Sequence, residues 1–217
     1  ALRRLRLNLQ NNAFNLHRAV VALSSIQAPG SKITLEQIVI NNNAPRLLQS
    51  CSAGDVAGIQ TALQMGSDVH MIDDNGLDGL MYASLNGHVA AVTALLQARA
   101  DVRAADGMGT TPLMFACLNG HVGVMRALLQ ANADVQAGTE KSLTPLMMAS
   151  TNGHVPAIHV LVEAGVDVLS VEAAGRTALM AASQSGHVGA VEALIAAGAN
   201  VQAVDAEGTT ALMLGSH

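Results

Sequence analysis

The apolar residues of this chain recur in columns with a constant spacing of 33 residues. One column contains only leucine and another only valine: Leu47, Leu80, Leu113, Leu146, Leu179 and Leu212, and Val56, Val89, Val122, Val155 and Val188. A period of this length is typical of a solenoid, in which each repeat buries its apolar face against the next repeat. The columns therefore predict a repeat array over residues 44–217.

Each copy of the repeat predicts two short helices followed by a loop. Thr111 can cap a first helix, and Pro112 fits the first turn, where a backbone N–H is not needed. Gly120 then supplies the left-handed conformation that ends this helix. The apolar residues that follow have helical spacing and predict a second helix: Val122, Met125, Leu128 and Leu129. The rest of the copy predicts a hairpin-like loop that projects sideways.

The column that ends the second helix contains one exception. Its other members are Gly66, Asn132, Gly165 and Gly198, which tolerate a positive φ, but the second copy has Arg99. The sequence therefore predicts a slightly strained backbone at Arg99.

The motif Thr-Pro-Leu-Met at residues 111–114, followed by Gly-His-Val at residues 120–122, recurs at residues 144–155 and, with Ala in place of Pro, at residues 177–188. These copies resemble ankyrin repeats. The resemblance covers residues 44–217 and implies an all-α ankyrin-repeat solenoid of five repeats plus a terminal half repeat. Residues 1–43 lie outside the repeat and are predicted to form a basic arm with short helices that cap the first repeat.

Charge is unevenly spread along the chain. Its net charge is −5, but residues 1–46 contain six bases and one acid, whereas residues 47–217 contain five bases and fifteen acids. Aromatic residues are only 1% of the chain. An acidic, aromatic-poor array lacks the basic stripe and the stacking side chains that nucleic acids need. With no run of eighteen apolar residues, the chain predicts no transmembrane span.

The arm and the two cysteines bear on the compartment. The first 35 residues contain arginines and no acid, which is typical of the end of a plastid or mitochondrial transit sequence and equally of a plain basic arm. Such an arm leaves open a peripheral contact with a membrane. Cys51 and Cys117 share a column two repeats apart, roughly 20 Å on a helix spacing of about 10 Å, so we expect reduced thiols. We predict an intracellular protein, cytoplasmic or organellar.

Two further columns could suggest chemistry. A shared zinc ion needs ligand nitrogens about 2.0–2.1 Å away, so one ion cannot bridge histidines that lie one repeat apart: His88, His121, His154 and His187. The family resemblance implies that these histidines brace a turn. A methionine column, from Met81 to Met213, stands where the family more often has histidine, and we expect it to pack in the core, which puts the usual histidine hydrogen bond in doubt. No nucleophile–base–acid set is present, so we predict no enzyme activity, cofactor or metal.

The resemblance also implies a binding surface. In ankyrin proteins the loop tips and the exposed side of the first helix line a concave groove where partner proteins dock. Carried over to this sequence, the groove comprises Asp74, Asn75, Leu77, Leu85, Asn86, Met108, Thr110, Leu118, Asn119, Glu140, Lys141, Leu143, Thr151, Asn152, Arg176 and Gln184. We expect its leucines and Met108 to form an exposed apolar patch and its asparagines to contact a partner backbone.

We therefore predict a protein–protein interaction scaffold, or an accessory subunit of a multi-subunit complex. Two alternatives are an organellar assembly or targeting factor and a regulator that inhibits a bound enzyme. At the C-terminal end, we expect Leu212 and Met213 to pack on the fifth repeat and Leu214 to face water. We also expect this end to be completed by further residues or covered by a partner.

Overall fold

A computed structural model of the protein describes residues 46–215. The arm, its two helices and its capping role lie outside these residues and stay predictions, as does the division at residue 43. Among the described residues there are eleven helices, and the only β-type pairing consists of isolated bridges within the loops. The all-α prediction is confirmed.

The helices alternate between two positions in the repeat. The first helices are α1 (Arg46–Ala53), α3 (Gly79–Leu85), α5 (Pro112–Leu118), α7 (Pro145–Thr151) and α9 (Ala178–Gln184). The second helices are α2 (Val56–Gln64), α4 (Val89–Gln97), α6 (Val122–Gln130), α8 (Val155–Glu163) and α10 (Val188–Ala196). A short helix, α11 (Ala211–Leu214), follows in the position of a sixth first helix.

Threonine side chains begin most of the first helices, as predicted. The Thr111 hydroxyl accepts a hydrogen bond from the backbone N–H of Met114 at 3.4 Å, and the equivalent threonines cap α7, α9 and α11. Asp78 caps α3 in the same way. At the other end of α5, Gly120 has φ +67°, and a Cβ there would lie 2.7 Å from the ring of His154. Glycine is thus required at this turn both by backbone conformation and by the close approach of the next repeat.

Helices of the same kind stack on one another along the array. Each first helix packs against the first helices of the neighbouring repeats and against its own second helix, and the second helices stack likewise. The leucine column forms the centre of this core, because Leu47, Leu80, Leu113, Leu146 and Leu179 are all buried. Full burial of one such side chain contributes about 1.5–3 kcal/mol, so the column is a main source of repeat stability.

The loops form a second continuous layer. Within a loop, Asp106 accepts hydrogen bonds through Oδ1 from the backbone N–H groups of Met108 (2.9 Å) and Thr110 (2.8 Å), which fixes the turn. Neighbouring loop tips are then joined directly by backbone N–H to carbonyl bonds: Glu140 to Met108 (3.1 Å), Ala173 to Lys141 (3.0 Å) and Ala206 to Ala174 (2.9 Å). We call this series of tips, residues 106–110, 139–143, 172–176 and 205–209, the loop row.

Three non-glycine residues among those described have a positive φ, two of them in the column that the sequence singled out and one elsewhere. Arg99 has φ +66° and Asn132 has φ +65°, as their column predicts. Ser142, with φ +60°, was not anticipated. It occupies the turn position that glycine holds in the other loops, at Gly76, Gly109, Gly175 and Gly208.

The prediction that Leu212 and Met213 pack on the fifth repeat while Leu214 faces water is wrong. Leu212 is 84% exposed and Met213 is 56% exposed, whereas Ala211 is buried and Leu214 is half-buried. Residues three apart share a helix face, and the face carrying Ala211 and Leu214 is the one that packs on α9. In the complete repeats the leucine of the Leu212 column is buried, whereas among the described residues no second helix follows α11.

Candidate protein-binding surface

Most residues predicted to line the groove lie at the surface. The exposed or half-buried ones are Asp74, Asn75, Leu77, Asn86, Met108, Asn119, Glu140, Lys141, Asn152, Arg176 and Gln184. Five others are buried: Leu85, Thr110, Leu118, Leu143 and Thr151. The expected apolar patch is therefore wrong for its three buried leucines, and Met108, at 44% exposed, is its principal exposed member.

Hydrogen bonds from neighbouring residues accompany this burial. The carbonyl end of α3 at Leu85 is covered by Asn119 and His121 of the next repeat, and His154 covers Leu118 in the same way. Leu143 lies where its loop closes, because its carbonyl accepts from the Thr139 N–H at 3.1 Å. Thr110 likewise accepts from Asp106 within its turn, and the Thr151 hydroxyl donates to the Met147 carbonyl of its own helix.

The asparagines predicted to line the groove, which we call the asparagine row, form hydrogen bonds within the array. The side-chain NH₂ groups of Asn86, Asn119 and Asn152 donate to the carbonyls of Tyr82 (3.0 Å), Leu85 (2.7 Å) and Met148 (2.9 Å), respectively. These bonds hold each amide in one orientation. The prediction that this row contacts a partner backbone remains untested, and the Oδ1 atoms are the acceptors that could do so.

The histidines link consecutive repeats. Nε2 of His88, His121 and His154 lies 3.1 Å from the carbonyl oxygens of Ser52, Leu85 and Leu118, respectively. Because a carbonyl can only accept, each Nε2 carries the hydrogen and donates it. The histidines thus tie the start of a second helix to the end of the first helix one repeat earlier. Burial lowers the pKa of His121, although its bond to Leu85 opposes that effect.

The comparison with protein families agrees with this repeat geometry. The family model described as ankyrin repeats (3 copies) matches residues 47–139 and residues 134–205, which together are well over half of the chain. The chain belongs to the ankyrin repeat family. No curated protein matches the chain. Ankyrin repeats generally mediate protein–protein interaction, and ankyrin proteins are typically interaction modules rather than enzymes.

The methionine column of this ankyrin array replaces the family's histidine with a sulfur acceptor. The backbone N–H of Thr111 points at Sδ of Met114 at 3.5 Å, and Thr177 makes the same contact with Met180. The threonine hydroxyl accepts from the methionine N–H in return, so the pair forms a reciprocal cap. The hydrogen bond that the missing histidine put in doubt is thus replaced in these two repeats.

The cysteine column is a packing feature of the ankyrin core. Cys51 and Cys117 are buried free thiols, as predicted. Burial and the charge of Asp78 raise the pKa of Cys51 to about 12, and burial raises the pKa of Cys117. Neither thiol is therefore ionised near neutral pH, and neither is set up as a nucleophile. Ser84 lies between them in this column, and its buried hydroxyl has no hydrogen-bond partner among the described residues.

Sequence reasoning missed one exposed column on the ankyrin loops. All five of its members are exposed: Ile72, Ala105, Gly138, Val171 and Val204. The sequence did carry a signal, because side-chain size varies widely in this column while the core columns stay constant. Because these positions are exposed, the core of the array places little restriction on their size.

Residues 46–215 contain neither a metal-binding cluster nor a candidate membrane span. No group of three or more histidine, cysteine, aspartate or glutamate side chains is placed to hold a metal ion. None of the helices in this part of the chain is long and apolar enough to cross a membrane.

Proposed function

We propose that this ankyrin array is a scaffold or accessory subunit that holds a partner protein along the loop row and the adjoining ends of its first helices. The observation that carries the proposal is the loop row itself. Its tips are joined from one repeat to the next by backbone hydrogen bonds of 2.9–3.1 Å. A surface that is already ordered loses less conformational entropy when it binds.

The side chains along the loop row suit protein recognition. Met108 exposes apolar surface on one tip, while Glu140 and Lys141 expose opposite charges on the next. Methionine adapts its shape to a partner, and charges at an edge select between partners. Further along, the Arg176 guanidinium donates to the side-chain oxygen of Gln184, which ties a loop to the end of α9.

The test needs the partner first and then matched surface variants. A native pull-down with mass spectrometry identifies the partner, and a titration then measures its affinity. Because Met108 and Lys141 are exposed, Met108→Glu combined with Lys141→Glu should leave the fold intact and weaken binding at least tenfold. The control is Met65→Glu, which alters an exposed methionine at the end of α2, away from the loop row.

The outcomes separate the alternatives. Wild-type affinity in the Met108/Lys141 variant, with Met65→Glu also unchanged, would exclude the loop row as the binding surface. Co-purification in fixed stoichiometry supports a subunit. Transient association points instead to an assembly or targeting factor, and inhibition of a captured enzyme points to a regulator.

A further inference from the structure

The last two complete loops expose an apolar pair bordered by carboxylates. Building on the function proposed above, we propose that this pair, Val171 and Val204, binds a partner-protein segment in which apolar side chains alternate with lysine or arginine. We call the pair the valine strip. This proposal specifies the chemistry of the partner segment, which the proposal for the loop row does not.

The two valines are exposed and lie on adjacent loops that are hydrogen-bonded to each other. Val171 is 52% exposed and Val204 is 56% exposed, and both occupy the same place in adjacent repeats. Each forms an isolated bridge across its own loop, to Thr177 and Thr210, respectively. The two loops are joined by the bond from the Ala206 N–H to the Ala174 carbonyl. Covering the two valines removes apolar surface from water, which favours binding.

The charge around the strip has one sign. Residues 166–177 and 199–210 contain Asp167, Glu172, Asp205 and Glu207 but only one base, Arg176, and no lysine or arginine follows it through residue 215. The Arg176 side chain is already engaged with Gln184. The two loops therefore have a net charge of −3, and they attract a cationic segment.

Among the described residues no cationic side chain forms an ion pair with these carboxylates. Asp205 accepts through Oδ1 from the backbone N–H groups of Glu207 (3.0 Å) and Thr209 (2.8 Å), and Asp167 accepts from Leu169 N–H (2.9 Å). These donors are uncharged. Between described residues the one ion pair joins Arg126 to Glu163, on the second helices. An acidic surface of this kind repels nucleic acids and anionic lipid headgroups, which leaves a basic protein segment as the occupant.

The spacing sets the minimum length of that segment. Stacked helices lie about 8–10 Å apart, and an extended chain rises about 3.3 Å per residue. Three or four extended residues therefore span the two valines. A nine-residue peptide is long enough to cover both valines and the surrounding carboxylates.

The experiment uses a defined probe with the whole chain. Fluorescence anisotropy measures the binding of a labelled peptide Gly-Lys-Val-Lys-Val-Lys-Val-Lys-Gly. One comparison peptide has serine in place of each valine, and another has glutamate in place of each lysine. We expect the first peptide to bind at least tenfold more tightly than either comparison, with an affinity that falls as salt rises.

Variants of the chain locate the site. Val171→Ser with Val204→Ser should weaken peptide binding at least tenfold, while Ile72→Ser, in the same column of the first loop, should leave it unchanged. Both changes are at exposed side chains, and circular dichroism checks the fold. Absence of binding, equal binding of the serine peptide, or full binding by the double variant would each overturn the inference.

The same variants distinguish this inference from the proposed function. If the chain captures its partner through Met108 and Lys141 but does not bind the valine–lysine peptide, only the valine strip is refuted. If the peptide binds the strip while the Met108/Lys141 variant captures its partner normally, only the assignment of partner binding to Met108 and Lys141 fails.

Discussion

Replacing Arg99 by glycine should stabilise this protein. Arg99 has φ +66° at the end of α4, where three of the equivalent positions are glycine. An L-residue in the left-handed region costs roughly 1–2 kcal/mol. Glycine loses more backbone entropy on folding, about 0.5–1 kcal/mol relative to alanine. The difference between these two terms predicts a net gain of about 0–1.5 kcal/mol in the free energy of unfolding, with a midpoint of about 0.8 kcal/mol.

The structure indicates that this gain is purely conformational. A Cβ built at the equivalent Gly66, Gly165 or Gly198 meets no atom within 4 Å, so the position has open space around it. The Arg99 N–H donates to the Leu96 carbonyl at 3.0 Å, a backbone bond that glycine keeps. Arg99 itself is exposed, so little packing is lost when its side chain is removed.

Urea unfolding followed by circular dichroism measures the change. Asn132→Gly is the matched control, because Asn132 has φ +65° in the same column and asparagine tolerates that conformation better. Asn132→Gly should raise the free energy of unfolding by less than about 0.5 kcal/mol, because asparagine adopts the left-handed conformation at a lower cost. If Arg99→Gly destabilises the protein, or gains no more than Asn132→Gly, the left-handed strain at Arg99 is not a significant cost.

Three further changes test the core. In the same urea titration, Leu113→Ala should lower the free energy of unfolding by roughly 2–5 kcal/mol. Leu212→Ala, in the same column but 84% exposed, should change it little. Equal losses in the two variants would contradict the assignment of the core. Ser84→Ala should raise thermal stability, because the buried Ser84 hydroxyl has no hydrogen-bond partner among the described residues. Ser150→Ala should instead cost about 1 kcal/mol, because it removes the 2.7 Å bond to the Leu146 carbonyl. A loss of thermal stability in Ser84→Ala would indicate that its hydroxyl has a partner. Because the folded pKa of His121 is lowered, folding favours its neutral form, so its contribution should be full above the unfolded pKa of about 6.5 and decline as pH falls towards the folded pKa. Melting temperatures from pH 8 to pH 5 should show a smaller acid-side loss for His121→Gln than for the wild type, and an unchanged slope would refute this.

The helices and the core were predictable because the same residue types recur at the same positions in successive repeats. One threonine before one leucine predicts little, but the same pair of columns in successive copies fixes where the first helices begin. The strain at Arg99 followed from the same comparison of columns. The positive φ of Ser142 was not predicted, because Thr139 and Ser142 occupy the positions at which the other loop turns have an acidic residue and a glycine.

Exposure at the binding surface was less predictable from the sequence. The positions of Leu85 and Leu118 in the family repeat suggest a groove surface, yet both are buried. Their carbonyls accept hydrogen bonds from the following repeats, Leu85 from Asn119 and His121 and Leu118 from His154. Such cross-repeat contacts are set by three-dimensional stacking rather than by residue type. The valine strip was missed because its column is not among the positions that the family resemblance assigns to the groove.

Hydrogen–deuterium exchange of the array with and without its captured partner tests the central claim most directly. The claim is that the partner lies along the loop row, so exchange should slow in residues 106–110, 139–143 and 172–176 when the partner is bound. The exposed faces of the second helices, α4, α6 and α8, should exchange as they do in the free protein. Protection confined to those second helices, with the loop row unchanged, would contradict the account.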